Sequence, residues 1–347
     1  MPSFSVIRDP DIIEGYLVDA SNTRGTAEAL VRPRHPEEAA ELMAWCQERA
    51  IPLTITARRT ATTGAPVPHG GWLLSTELLN RIHGPDDVDA GVILGEYQAE
   101  VEARGDFFPP DPTSRHECSI GAAIACNASG ARSFRYGPTR GWIRELQVIL
   151  PTGELMWCDE TTPLPTGWLA PRWTEPLVKT AAGYSPRPGL MHLLIGHEGS
   201  LGLITRARVR LLPLPRGVLS LMAFFSDKAA MLTMVSRARR GAQRAVAGPE
   251  GAVPDGALSP RAIEYFDAHA LNMVRARVPD IPADARHALF VEVEHDGEPP
   301  LEQWWEALED AGALMDDIIV AEDDAGRHRL QAVRHAIPAG VNEKVVA

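Results

Sequence analysis

The chain has 347 residues, of which 45% are hydrophobic and 23% charged, and this composition is typical of a soluble globular protein long enough for two domains. Its 34 Lys and Arg residues against 46 Asp and Glu residues give a formal charge of -12. This balance argues against nucleic acid as a partner, because that affinity depends on neutralising phosphates.

Neither metal binding nor membrane insertion is indicated by the sequence. The four cysteines form no CxxC pair and show no zinc spacing, so we expect no metal. The N-terminal segment is charged where a signal peptide needs an apolar core, and no run of 18 apolar residues occurs. We therefore expect a cytoplasmic protein, with at most a peripheral contact with the inner face of a membrane.

The N-terminal part reads as a strand–helix–strand unit. A short strand over Ala29–Val31 is followed by a helix whose first turn contains Pro36, and then by a strand over Leu53–Thr56. A loop rich in Thr, Gly and Pro, residues 57–68, leaves that second strand, and such loops present N–H groups to anions. The predicted buried face of the helix contains Leu42, Met43 and Cys46.

The middle of the chain alternates short strands with loops. Trp72–Ser75 predicts a strand, residues 105–113 form a proline-rich loop, and residues 119–127 are almost all small. Residues 146–150 and 154–158 flank Pro-Thr-Gly and predict a β-hairpin. Prolines and glycines then break every pattern from residue 161 to 188, which predicts a long loop.

The C-terminal part predicts a second domain. A strand over residues 209–212 runs into two prolines, which suits a domain boundary. An α+β arrangement with an antiparallel sheet is then indicated by strands at 219–225 and 288–293 and helices at 228–246, 261–277 and 301–311.

Three segments carry a resemblance to a known family. They are TARRTATTGAPVP from Thr56, PPDPTSRHECSIGAAIACNASGARSFRYGPTR from Pro109, and IGHEGSLGLITRARVRLLPLP from Ile195. Their order and spacing resemble the vanillyl-alcohol oxidase and p-cresol methylhydroxylase superfamily of FAD proteins, within it the glycolate and D-lactate dehydrogenase group. Residues around Lys179 and Gly183-Tyr184 fall where that family has a similar stretch.

The resemblance implies an α+β fold in two domains. Residues 1–216 would form a two-subdomain FAD-binding domain of the p-cresol methylhydroxylase type. Residues 217–347 would form a cap or substrate domain with an antiparallel sheet. Because relatives continue well beyond an AIPAGVNEK-like segment, the chain looks truncated within this cap domain.

The resemblance also implies FAD contacts, and the residue chemistry agrees with them. The FAD pyrophosphate needs main-chain donors, which a Gly/Thr loop after a strand supplies, although such a loop taken alone is more often an ordinary surface turn. The implied contacts are Ala57, Arg58, Arg59, Thr60, Ala61, Thr63, Gly64, Pro110, Asp111, Ser119, Gly121, Ala122, Ile124, Asn127, Gly130 and Ile204.

Several of these assignments have structural alternatives. Gly121 and Gly130 suit a backbone pressed against the flavin, or else a tightly packed helix start. Asp111 could cap a turn. The pair Arg58 and Arg59 could contact the pyrophosphate or form a solvated pair.

The first loop departs from the family pattern. The family usually has glycines where this chain has Ala57 and Arg59, and often another at Ala61, so a positive φ there would be strained. Thr60 stands where members with covalently bound flavin have histidine, so we expect FAD to be bound non-covalently. In the third segment, Glu198 is as readily a structural turn residue as a ligand, and Ile204 is the stronger candidate.

The function implied by the resemblance is FAD-dependent oxidation of a small 2-hydroxy acid, such as glycolate or D-lactate, to the 2-oxo acid. The electron acceptor could be a quinone, a cytochrome, an iron–sulfur protein or oxygen. No catalytic residue is predicted, because relatives supply the base from their C-terminal part. Arg334 lies where some relatives have an arginine near the substrate, and the available histidines are His197, His287, His295, His328 and His335.

Two other functions remain open from the sequence. One is a non-catalytic flavin-binding or structural derivative of the same fold, favoured by the missing loop glycines. The other is reduction of an enolpyruvyl sugar nucleotide with NADPH, which the PPDPTS and IGHEGSLGLIT segments disfavour. Flavin content would test the first and NADPH oxidation the second.

Overall fold

A computed structural model describes residues 4–168, 184–247, 258–275 and 281–323, followed by 325–327, 329–331, 333, 334 and 336. Two compact units divide the chain. The first contains residues 1–130 and 137–214, and the second contains residues 131–136 and 215–347. The predicted domain boundary at residue 216 stays a prediction, and the inclusion of 131–136 in the second unit had no signal in the sequence.

The first unit begins with a four-stranded sheet. Strands β2, β4 and β3 are mutually parallel, and β1 is antiparallel to β2 in the order β1-β2-β4-β3. These strands are Val6–Ile7 (β1), Ala29–Val31 (β2), Leu53–Thr56 (β3) and Trp72–Ser75 (β4), and the helices between them are Pro10–Glu14 (α1) and Pro36–Glu48 (α2). The predicted strands and helix are confirmed, and Leu42, Met43 and Cys46 pack under the sheet.

A second, antiparallel sheet of the first unit has the order β5-β6-β10-β8-β9. Its strands are Ile82–Gly84 (β5), Asp87–Asp89 (β6), Ile143–Ile149 (β8), Leu155–Asp159 (β9) and Leu203–Val209 (β10), while Asp106–Phe107 (β7) pairs with Leu212–Pro213 (β11). The predicted hairpin is confirmed, with β8 longer than expected. Helices Leu94–Glu102 (α3), Ile120–Ala125 (α4) and Leu190–Leu194 (α6) and a 3₁₀ turn over Thr139–Trp142 complete the described part of this unit.

The second unit is an antiparallel sheet with helices on both faces. Its strands are Gly217–Phe225 (β12), Ala262–Phe266 (β13), His287–His295 (β14) and Ile319–Ala321 (β15), in the order β13-β14-β12-β15. Its helices are Ser133–Tyr136 (α5), Lys228–Ala247 (α7), Ala268–Val274 (α8) and Leu301–Ala311 (α9), with a 3₁₀ turn over Met315–Asp317. Alternate residues of β12 enter two different clusters, Leu221 with α7 and α9 and Met222 with α8. Burial on both faces explains why β12 reads as an almost continuous apolar run.

Two sequence predictions about elements are wrong. The helix expected over 261–277 is instead strand β13 followed by α8, because residues 262–266 pair along β14 and Asp267 caps the helix after it. A single strand is expected over 209–212, but the chain changes strands within this range. β10 ends at Val209, and β11 begins at Leu212 and pairs with β7. The pairing partner is a separate strand in both cases: β14 follows β13 in the chain, whereas β7 comes long before β11.

Candidate functional site

A cleft of about 430 Å³ lies within the first unit, at the carboxyl end of β3. Cofactor and ligand sites in proteins have volumes of about 300–1,000 Å³. The cleft is lined by the loop after β3, by α4 with the residues after it, and by the turn leading into β10. Among the residues that line it, predicted FAD contacts are Ala57, Arg59, Thr60, Ala61, Thr63, Gly121, Ala122 and Ile204.

The loop after β3 presents a row of main-chain donors. Among the described residues, none accepts a hydrogen bond from the N–H groups of residues 58–63. The loop keeps its shape through Asp19, a buried residue whose Oδ2 accepts from Gly64 N at 2.9 Å and whose Oδ1 accepts from Ser21 N at 3.0 Å. Gly64 has a φ of +78° and donates to this carboxylate, so its amide is occupied within the protein. The Asp-x-Ser pattern of an Asx turn was the available signal for Asp19, and sequence reasoning missed it.

Of the three loop positions where the family has glycine, 57, 59 and 61, the one with a positive φ is Arg59. Its φ is +57°, whereas Ala57 and Ala61 do not have positive φ. The Arg59 guanidinium lies 4.5 Å from the centroid of the Tyr16 ring, and its NH1 donates to Ala57 O at 2.9 Å. Stacking on Tyr16 therefore helps to hold the arginine in a conformation that costs a non-glycine residue about 1–2 kcal/mol. Arg58 is exposed.

The close approaches of Gly121 and Gly130 are to protein. A Cβ at Gly121 would lie 2.5 Å from Ala90 Cβ, and one at Gly130 would lie 1.5 Å from Asp111 O. Packing within the protein therefore requires both glycines, and their predicted role as points of closest approach to the flavin stays a prediction. Gly121 lies at a tightly packed helix start, where Ser119 caps α4 by accepting from Ala122 N at 3.3 Å.

Other predicted contacts are held in structural roles away from the cleft lining. Ile124 is fully buried in the core, and Asn127 accepts from Arg140 N at 3.0 Å. The Pro110 carbonyl accepts from Gln98 Nε2 at 2.7 Å, and Asp111 lies 3.8 Å from Arg115 NH1. The predicted residues outside the cleft lining are Arg58, Gly64, Pro110, Asp111, Ser119, Ile124, Asn127 and Gly130.

The turn before β10 contributes a neutral histidine. His197 is buried and lines the cleft, and burial lowers its pKa to about 4. His197 Nδ1 accepts from Leu201 N at 3.2 Å, so the neutral ring carries its proton on Nε2. Glu198, with a φ of +52°, also lines the cleft and accepts from Thr63 Oγ1 at 2.9 Å, which joins the two loops.

One buried polar atom in the cleft wall lacks a partner. Thr56 is 2% exposed, lines the cleft as the last residue of β3, and its Oγ1 has no hydrogen-bond partner in the described structure. A buried hydroxyl without a partner carries a desolvation cost of about 1–3 kcal/mol, which a ligand that bonds to it would remove. The six N–H groups and this hydroxyl fit a phosphate-bearing cofactor with polar ribityl and ribose groups.

Comparison with known proteins agrees with this fit. The model of the family described as FAD binding domain matches residues 27–159, which include the β3 loop and α4.

The chain carries an FAD binding domain.

Curated relatives point in the same direction. D-lactate dehydrogenase from Anaerostipes hadrus is 28% identical over 98% of this chain and 68% of the relative. Glycolate oxidase subunit GlcD from Bacillus subtilis is 31% identical over 64% of this chain and 45% of the relative. The chain thus spans about half to two thirds of the length of these two proteins. The predicted superfamily, its glycolate and D-lactate dehydrogenase group and FAD as the cofactor are confirmed.

The fold is shared with a solved structure of alkyldihydroxyacetonephosphate synthase. It aligns with 98% of this chain and 66% of its own at a TM-score of 0.70 and 14% identity. This likeness confirms the predicted α+β fold.

Residues considered for catalysis have other partners or lie outside the described residues. His287 Nδ1 is 2.8 Å from Tyr265 OH, and His295 Nδ1 is 2.7 Å from Gly297 O. Arg334 forms an ion pair with Glu264. The positions His328 and His335, with Lys179 and Gly183 of the family-like stretch, lie outside the described residues.

Neither a metal site nor a membrane span is found in the part of the chain that the structure describes. No group of three His, Cys, Asp or Glu side chains there could hold a metal ion. Likewise, no described helix combines the length and apolar character needed to cross a bilayer.

Proposed function

We propose that FAD binds non-covalently in the cleft, with its pyrophosphate on the N–H groups of residues 58–63. The observation that supports this proposal is the row of N–H donors without partners, which follows the buried Thr56 hydroxyl in the chain. Both lie in the segment that the FAD binding domain family matches. The small residues of α4 and Ile204 would face the flavin end. Thr60 offers no imidazole for a covalent link.

The cleft residues have distinct parts in this proposal. Thr56 would gain a hydrogen-bond partner, and Asp19 keeps the loop open by holding Gly64. His197 contributes a neutral Nε2–H donor in a wall from which burial excludes water. Because its lowered pKa keeps the ring neutral near pH 7, it adds no positive charge to the cofactor environment there.

We further propose that the protein oxidises a small 2-hydroxy acid to the 2-oxo acid. Bound FAD supplies a two-electron acceptor. The C2–H bond of the acid breaks with its electron pair, a base takes the hydroxyl proton, and the C2–O bond becomes a carbonyl. A D-lactate dehydrogenase that aligns with 98% of the chain supports this reaction class. No residue of the chain is assigned as the base.

Flavin titration tests the binding proposal. FAD added to the flavin-free chain should lose fluorescence saturably, and acid precipitation should release all of the yellow colour into the supernatant. Flavin that stays with the pellet would contradict non-covalent binding. A chain that leaves FAD fluorescence unchanged would contradict binding altogether.

Anaerobic reduction tests the reaction. The FAD-loaded chain, alone and with any continuation of its reading frame, should be mixed with glycolate, D-lactate or D-2-hydroxyglutarate while flavin absorbance is recorded. Bleaching with one of these acids by at least one form supports the proposal. If neither form bleaches with any acid although FAD is bound, the hydroxy-acid assignment is wrong.

A further inference from the structure

The four cysteines differ sharply in their surroundings. Cys46, Cys118 and Cys158 are buried at 2 to 4% exposure, whereas Cys126 is partly exposed, and none of the four is in a disulfide. Burial raises the pKa of Cys46 and Cys118 to about 11 and that of Cys158 to about 12. Since the thiolate is the reactive form, the raised pKa values disfavour reaction of those three thiols near neutral pH.

Cys118 and Cys126 both line the candidate cofactor cleft, and the partly exposed one of the two is Cys126. It follows α4 directly, and its N–H donates to Ala122 O at 2.9 Å, which fixes the backbone that carries the thiol. The same cleft contains the unpartnered Oγ1 of Thr56, which marks it independently as a place that receives a ligand. A group attached to Cys126 inside this cleft, whose volume is about 430 Å³, would compete with that ligand for space.

We propose that Cys126 is a thiol modification site inside this cleft, where a small-molecule disulfide forms a mixed disulfide that excludes FAD. The inference rests on the proposed position of FAD. The thiol loses its proton to solvent, its sulfur attacks one sulfur of the disulfide, and the other half leaves as a thiolate. One S–S bond breaks and one forms, so a disulfide such as oxidised glutathione supplies the oxidising equivalents and no further reagent is needed.

The competition between FAD and the mixed disulfide must act in both directions. If the mixed disulfide weakens FAD binding by a given factor, bound FAD disfavours the mixed disulfide by the same factor, because the two equilibria are linked. The flavin-loaded chain is thus protected from thiol oxidation, whereas the flavin-free chain is open to it. Loading with cofactor would then depend on the thiol–disulfide balance of the surroundings.

Thiol counting with 5,5′-dithiobis(2-nitrobenzoate) tests the inference on the full 347-residue chain. The flavin-free chain should release one nitrothiolate rapidly, mapped by peptide mass to Cys126, with saturating FAD slowing this release roughly tenfold or more. Cys126→Ala should lose the rapid release, and the matched control Cys46→Ala should keep it. The chain carrying the glutathione mixed disulfide should bind FAD roughly tenfold or more weakly, with full recovery after reduction.

Other results overturn the inference in distinguishable ways. Absence of a rapid thiol, or a rapid thiol at another cysteine, shows that Cys126 is not the modification site. A rapid Cys126 that FAD does not protect, while FAD fluorescence shows binding, places the cofactor away from Cys126. Failure of the reduced chain to bind FAD at all overturns the proposed function and the competition together, and the rapid thiol would still be counted at Cys126.

Discussion

Substituting Gly121 by alanine tests whether this glycine is needed for packing within the protein or for approach to the cofactor. A Cβ at this position would lie 2.5 Å from Ala90 Cβ and 2.9 Å from Ala90 O. Gly121 N also donates to Ala90 O at 2.8 Å, so α4 cannot move away from residue 90 without losing that hydrogen bond. Ala90 is itself fully buried, which leaves it little room to shift.

Overpacking of this kind costs about 1–3 kcal/mol. In a unit of this size each kcal/mol lowers the midpoint of thermal unfolding by about 2–4 °C. We therefore expect Gly121→Ala to destabilise the flavin-free protein, and Gly121→Val to do so more strongly. FAD affinity, measured where Gly121→Ala is folded, should change little.

A matched control is Gly141→Ala, because nothing lies within 4 Å of the Cβ it would add. That variant should be neutral or stabilised by about 0.4–1 kcal/mol through the unfolded chain. The double substitution Ala90→Gly with Gly121→Ala should recover part of the loss. Urea unfolding with and without FAD measures these effects. A flavin-free Gly121→Ala chain as stable as the parent, but with weakened FAD binding, would refute the packing argument.

Three further predictions concern other buried groups. Thr56→Val should weaken FAD binding by about 0.5–1.5 kcal/mol, measured by flavin fluorescence, without destabilising the flavin-free chain, and unchanged affinity would contradict a role for the hydroxyl. Burial lowers the pKa of His197 to about 4 in the folded chain, from its ordinary value of 6.5. About 3 kcal/mol of folding stability, present above pH 6.5, should therefore be lost as the pH falls to 4. This loss should disappear in His197→Gln. Burial alone would raise the pKa of Glu292, but the charges of Arg261 and Arg132 lower it from 4.5 to about 2. About 3 kcal/mol of folding stability, present above pH 4.5, should therefore be lost as the pH falls through 2. A Glu292→Gln variant that still shows this loss in acid unfolding would contradict the assignment.

The buried ionic cluster around Glu292 lies entirely within the second unit. Arg261 Nε donates to Glu292 at 2.8 Å, and Tyr136 OH donates to Glu294 at 2.5 Å. Gln331 Nε2 completes the shell of Glu292 at 3.0 Å. Breaking such a pair by removing one partner typically costs about 3–5 kcal/mol, because a charge is left buried without compensation. The cluster also ties residues 131–136 to strands that lie more than a hundred residues later in the chain.

Elements whose signals are local could be predicted from the sequence. The turn at Pro151-Thr152-Gly153 and the Pro at the first turn of α2 act within a few residues, so the hairpin and the helix were predictable. The loop after β3 was likewise predictable as a donor surface, because Thr and Gly after a strand leave N–H groups without ladder partners. Motif order and spacing were enough to indicate the FAD family.

Which residues line the cleft and which support it depends on contacts between distant parts of the chain. Positions 121 and 130 need glycine because Ala90 and Asp111 lie too close to admit a side chain, and no local sequence pattern predicts these contacts. Residues 262–266 form strand β13 because they pair with β14, although their sequence predicts a helix. The low pKa of His197 and the contrast between Cys126 and the other thiols both depend on burial, which is a property of the packed chain and not of residue type.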